Sequence, residues 1–174
     1  AVTLGAATTL SSTGAGDITL GSTLNGAQTL AINTSGVTTF SGVVGGSTAL
    51  TSLTTNAGGS VAINGGVVNT TGAQSYGEAA TLGAATTLTS TGSGAITFGS
   101  TLNGAQTLDI NTSGVTTFGG AVGNTTALTS LSTDAGTAGS VAINGGVVNT
   151  TGAQSYGEAA TLGAATTLTS TGSG

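Results

Sequence analysis

Apolar and polar residues alternate over short stretches of this chain. In Thr107-Leu108-Asp109-Ile110-Asn111 the apolar side chains fall two apart, which is the period of a β-strand. Val61-Ala62-Ile63-Asn64 and Ala95-Ile96-Thr97-Phe98 follow the same rule. Between such runs lie Asn25-Gly26, Ser35-Gly36, Asn64-Gly65-Gly66 and Gly92-Ser93-Gly94, all of them turn chemistry. No stretch sustains a helical period with caps, and the abundance of Gly and Thr disfavours helix. The pattern predicts an all-β chain of short strands joined at Gly and Asn corners.

The alternation is itself repeated. Residues 61–94 return letter for letter as residues 141–174. Leu4–Leu10 matches Leu82–Leu88 at an offset of 78, and beyond Gly58 the offset becomes 80 because GGS at 58–60 has become GTAGS at 136–140. An insertion tolerated at a Gly-rich spot marks a surface turn. The long repeats span 7–84, 85–164 and a partial copy at 165–174. Each divides into units of 18 to 22 residues: 7–26, 27–46, 47–66 and 67–84, then 85–104, 105–124, 125–146 and 147–164. Aligned in this way, Leu10, Leu30, Leu50, Thr70, Leu88, Leu108, Leu128, Thr150 and Leu168 form one column, and Leu20, Phe40, Phe98 and Phe118 another.

Asn-Gly between short strands also suits an antiparallel hairpin. Like residues spaced about 20 apart argue instead for a parallel solenoid, in which each rung pairs in register with the next. The expected fold is a single parallel β-helix over residues 1–174, with 18 to 22 residues per rung. Leu, Ile, Val and Phe stack inside, and Thr, Ser and Asn lie outside. Rungs about 4.8 Å apart make eight to nine rungs a rod of roughly 40 Å. Stability then sums over neighbouring rungs, so a lone rung does not fold.

Composition sharpens this reading. The chain has no Lys, Arg, His, Cys, Met, Trp or Pro, and its five acids give a net charge of −5. A Ser/Thr/Gly-rich chain poor in aromatics also suits disorder, but the strand alternation favours the fold. The chain starts at Ala1 partway through a repeat and lacks Met, so it is expected to be a window on a longer array. No apolar run approaches the roughly 18 residues of a membrane span.

The tract TLGAATTLTSTGSGAITFGSTLNGAQTLDINTSGVTTFGGAVGNTTALTSL, residues 81–131, resembles the strand-repeat regions of very large bacterial surface proteins. These are the filamentous-haemagglutinin-like exoproteins and autotransporter-type adhesins. The likeness covers essentially the whole chain and rests on repeat grammar. It implies a right-handed parallel β-helix, exported to the cell surface or beyond. The expected role is a structural shaft of an extracellular or surface fibre. The partners expected are further repeats of the same chain, other copies of it, or cell-surface glycans. Two alternatives to the shaft are a self-assembling filament subunit and a carbohydrate-binding adhesin module.

No catalytic, cofactor-binding or metal-ligating residue is assigned. General acid–base work needs a titratable group tuned by its neighbours, and His, Lys and Cys are missing. Of the acids, only Glu78 and Glu158 recur between copies; Asp17, Asp109 and Asp134 are replaced by Ala95, Ala31 and Asn56 in the matching copies. Four rungs separate the two glutamates, about 19 Å at the rung spacing, too far for a glycosidase pair at roughly 5 to 9.5 Å. Calcium needs six to eight oxygens, and a weak site with Asp134 in the loop 133–139 is the nearest approach. Nucleic acid finds no cation to bind. Thr87, Thr89 and Thr91, beside Thr107, Asp109 and Asn111 and then Ala127, Thr129 and Leu131, form only a broken threonine array. Tyr76 and Tyr156 are expected to pack corners, with a glycan-anchoring role as the alternative. Asn33, Asn69, Asn111 and Asn149 fit asparagine ladders better than glycan acceptor sites.

A chain without Lys or Arg offers trypsin no cleavage site. Trypsin is expected to leave the native and the unfolded chain equally intact. A broad-specificity protease should digest only the unfolded form; rapid loss of the native form would mean disorder.

Overall fold

The computed structural model of the chain describes residues 1–56, 58–134 and 138–172. Among these residues there is no helix, and every strand pairing is parallel. The chain winds as a right-handed β-solenoid of about 8 turns, about 22 residues each. No helix among the described residues is long and apolar enough to cross a membrane.

Three parallel sheets line the rod. The first contains Val2–Thr3, Leu24–Asn25, Val67–Thr70, Thr86–Ser90, Thr107–Thr112, Ser130–Thr133 and Gln154–Tyr156. The second runs without a gap through Thr8–Ser11, Thr29–Asn33, Ser52–Thr55, Gln74–Tyr76, Ile96–Phe98, Val115–Phe118, Ser140–Ile143 and Ala159–Leu162. The third comprises Ile18–Leu20, Val37–Phe40, Ser60–Ile63, Ala79–Leu82, Leu102–Asn103, Val147–Thr150 and Thr167–Ser170. Val44 bridges the gap in the first sheet between Leu24 and Val68, and Val122 the gap in the third between Leu102 and Val148. With these two bridges, each sheet has eight positions, one per turn.

The observed columns are staggered against those expected from the repeat units. Leu10 lies beside Ile32, not Leu30; Leu30 pairs with Thr8 and Leu53; Leu88 pairs with Ile110, not Leu108. The turn is about two residues longer than the commonest unit, so residues aligned by sequence slide to the next inward position. Leu20 with Phe40, Phe98 with Phe118, and Leu50 with Thr70 are neighbours as expected.

The same mismatch governs the long repeat. Thr8–Ser11, in the second sheet, matches Thr86–Thr89, in the first; Tyr76, in the second, matches Tyr156, in the first. Each copy occupies eleven strand positions once the bridging valines are counted, and eleven is not a multiple of three. Successive copies are therefore rotated by one sheet, and identical segments never stack on each other.

Inward residues make one continuous core. Along the second sheet the column reads Leu10, Ile32, Thr55, Tyr76, Phe98, Phe118, Ile143, Leu162. The Tyr76 and Phe98 rings stack at 5.0 Å and 17°, and the Phe98 and Phe118 rings at 6.0 Å and 6°. Such pairs add about 0.5–1.5 kcal/mol beyond the area they bury. The core is not purely apolar: nine threonines, together with Gln74, Glu78 and Ser90, are buried among the described residues. The expectation that threonine lies only outside is corrected here. Several of these hydroxyls hold corners across turns: Thr34 Oγ1 donates to Gly16 O at 2.7 Å, Thr112 Oγ1 to Gly94 O at 2.7 Å, and Ser90 Oγ to Gly72 O at 2.8 Å.

Val44 makes only isolated bridges, between Val43 and the Gly45-Gly46 corner. Gly45 has φ of +72°, and a Cβ there would meet Asn69 O at 2.2 Å. Gly45→Ala is expected to destabilise by roughly 1–3 kcal/mol, from backbone strain plus the close approach to the next turn. Gly21→Ala, where nothing lies within 4 Å, should stay within about 0.5 kcal/mol of wild type. Denaturant unfolding midpoints of the two variants check this.

Candidate functional site

The five acids do not form a site. Asp17 and Asp109 are exposed, Asp134 and Glu158 half-buried, and Glu78 buried. Among the described residues no three acids come close enough to share a metal. Residues 135–137 of the Gly-rich loop considered for calcium lie outside the described residues, as does part of the insertion at 136–140. Asp17 has a structural role: its Oδ1 accepts the Val37 N–H at 2.7 Å, tying one corner to the turn beyond.

Glu78 and Glu158 follow the rotation of the repeat. Glu78 sits where the chain leaves the second sheet for the third, and Glu158 where it leaves the first for the second. Eleven strand positions, or three and two-thirds turns, separate them, so they occupy different corners of the rod.

The densest polar cluster lies inside, around Gln74 and Tyr76. Gln74 Nε2 donates to Val68 O at 3.1 Å, to Thr70 Oγ1 at 3.2 Å and to Thr89 O at 2.9 Å. Its Oε1 accepts the Tyr76 hydroxyl at 3.0 Å. One amide thus joins strands of the first sheet to one of the second. Tyr76 is 0% exposed, lies within a strand, and is stacked on Phe98. The expected corner role is corrected to a core role, and a buried ring cannot anchor a glycan. Gln154 and Tyr156 repeat the cluster, with Nε2 donating to Val148 O, Thr150 Oγ1 and Thr169 O and Oε1 accepting the tyrosine hydroxyl at 3.1 Å.

An open recess of about 360 Å³ is lined by Gln154, Tyr156, Leu168 and Ser170. Its counterparts one copy earlier, Gln74, Tyr76, Leu88 and Ser90, are buried beneath the next turn. The recess is thus the exposed cross-section of the core, not a cleft in the side of the rod.

Asparagines do not ladder on one another. Asn69 Nδ2 donates to Gly45 O and Asn149 Nδ2 to Gly123 O, both at 3.3 Å. Asn25 Oδ1 accepts from the Ser47 and Thr48 N–H groups, and Asn103 Oδ1 from those of Thr125 and Thr126. Asn111 pairs with Thr89, and Asn33 with Ser11. These cross-turn brackets join residues 22 to 26 apart, and an isolated Asn-Gly reads as a local turn whichever partner it has. The threonine array is also shorter than expected: Asp109 neighbours Ser132, and Leu131 is in the core.

No protein-family profile, curated protein or solved structure matches the chain.

Burial raises the titration points of Tyr76, which is buried, and of Tyr156, which is half-buried. Tyr76 lies far above its ordinary 10.0, and Tyr156 is pushed up to about 12, in both cases by desolvation of the charged form. The folded state holds these protons more tightly than the unfolded chain does. Their contribution to stability is complete below pH 10 and is lost as pH rises past it. A spectrophotometric titration should show no tyrosinate at pH 10 in the native chain, Tyr156 ionising near 12, and Tyr76 only on unfolding. A normal half-ionisation near pH 10 in the folded chain would contradict the packing of both rings.

Proposed function

We propose that the chain is a structural shaft of a bacterial extracellular or cell-surface fibre, giving reach and stiffness. One observation carries this reading: three parallel sheets run the length of the rod around a single core, and the sides carry mostly short, uncharged side chains, Asp17 and Asp109 apart. Backbone hydrogen bonds between turns lie along the axis, so bending or stretching the rod strains all three ladders. The likeness in repeat grammar to haemagglutinin-like and autotransporter-type surface proteins supports export and bacterial origin.

A second reading is a filament subunit, in which copies join end to end through the parallel ladder. Each added turn would bury side chains and pair open strand edges. The third reading, a glycan-binding adhesin module, would need recognition groups on the flanks.

Labelled antibody against the chain should decorate intact, unpermeabilised producing cells, along extensions seen in electron micrographs. Purified chain should stay silent on a glycan array and stay monomeric as concentration rises. Label confined to the cell interior would sink the fibre reading. Array binding would replace the shaft with the adhesin module, and growth into long fibres would replace it with the filament subunit.

A further inference from the structure

We propose that the corner between Gln74–Tyr76 and Ala79–Leu82 is a proton-operated latch, with the Glu78 carboxyl neutral in the folded rod and its ionisation opening the corner. This holds whatever the rod's role.

Glu78 is 3% exposed, and neither carboxyl oxygen has a hydrogen-bond partner. The Thr55 hydroxyl and the N–H groups of Gly77 and Glu78 act on it, but without well-formed hydrogen bonds. The Gly77 N–H is already given to Thr55 O at 3.1 Å. Thr55 Oγ1 is itself buried and unpartnered. The Thr55 hydroxyl can accept from the acid's one donor, whereas neither oxygen of a carboxylate would have a well-placed donor here.

No countercharge is at hand. The chain has no Lys, Arg or His, and between Asp17 and Asp109 its only titratable side chains are Tyr76 and Glu78. The strands packed against the corner, Ser52–Thr55, Ser60–Ile63, Ile96–Phe98 and Leu102–Asn103, carry no titratable group. The Tyr76 hydroxyl is committed to Gln74. A buried carboxylate without a partner is strongly disfavoured, so the charge is relieved by keeping the proton or by opening the corner to water. Burial accordingly raises the carboxyl above its ordinary 4.5 and outweighs the weaker downward pulls.

The direction of the pH effect follows. The folded state binds a proton that the unfolded chain releases near 4.5. Stability is therefore greatest below that value and falls as pH rises above it. In the second copy Thr133 Oγ1 and Glu158 Oε2 also lack partners, but Glu158 is half-buried, so the latch is assigned to Glu78 alone.

Infrared spectra of the folded wild type at neutral pH should contain a protonated-carboxyl carbonyl band. Glu78→Gln should lose this band, and Asp109→Asn, which removes an exposed charge, should keep it. The wild-type thermal midpoint should fall by several degrees from about pH 4 to about pH 8, Asp109→Asn in parallel, while Glu78→Gln loses that fall. An ionised Glu78 at neutral pH overturns the latch, as does a Glu78→Gln profile that follows the wild type. A neutral-pH midpoint that rises steeply with added calcium chloride or sodium chloride, with the band absent, would assign the corner to a bound cation instead. Should Glu78→Gln not fold, the wild-type band alone decides.

Discussion

The constraint on which this rod depends is the parallel ladder between turns. Each strand gives its backbone donors and acceptors to the strands of the turns above and below, about 4.8 Å away. Few large side chains are available to each turn, so a missing ladder could not be offset by a thick hydrophobic centre. The ladder also explains the composition. Sheets stacked at this spacing favour β-branched and small side chains, and sharp corners need residues that can pass beneath the neighbouring turn. Gly42 and Gly65 show the second requirement: a Cβ on Gly65 would lie 2.1 Å from Gly42 O. Glycine at that corner is an outcome of close turn-to-turn approach.

A regular ladder creates a problem of register, because identical turns could slip past one another at little cost. The rotation between copies addresses it. Tyr76 is covered by Phe98 and supported by Thr55, not by another tyrosine. Displacement by one turn would move Gln74 away from Val68, Thr70 and Thr89, the groups its amide satisfies. That would leave several buried polar groups without partners at once, and each carries a desolvation cost of about 1–3 kcal/mol. Buried polar residues, individually poor material for a core, thus favour one register over its neighbours.

The fold class was legible because alternation survives in single stretches such as Thr107–Asn111, and because Gly and Asn recur between them. The identity of vertical neighbours was not. Aligning Leu10 with Leu30 maximises sequence likeness, yet the turn is set by how many residues the corners consume. Those corners vary: Ile96 to Thr116 takes 20 residues, and Thr116 to Val141 takes 25. The buried threonines were missed for a related reason, since a Thr in an alternating strand reads as outward unless its register is known. The Thr-Ser-Gly of 34–36 and 112–114 was the available signal. In both, the threonine hydroxyl accepts the N–H of the glycine two residues on and donates to the turn before. A candidate site was not legible because the repeated pair, Tyr76 and Tyr156, packs into and against the core of the rod.

The rotation has a consequence for the outside. A feature placed once per long repeat on a side of the rod reappears on a different sheet in the next copy, three and two-thirds turns along. Three copies are needed before it returns to the same side, which takes eleven turns. An extended array with this grammar would therefore spread every outward feature evenly around its circumference. Flat recognition surfaces need the opposite, the same side chain on the same side turn after turn. An even distribution leaves no preferred side for lateral aggregation, although most of the exposed side chains are uncharged. That property suits a shaft: stiff along its axis, alike on all sides, and free of the long sticky stripe that a repeat of twelve strands would have produced.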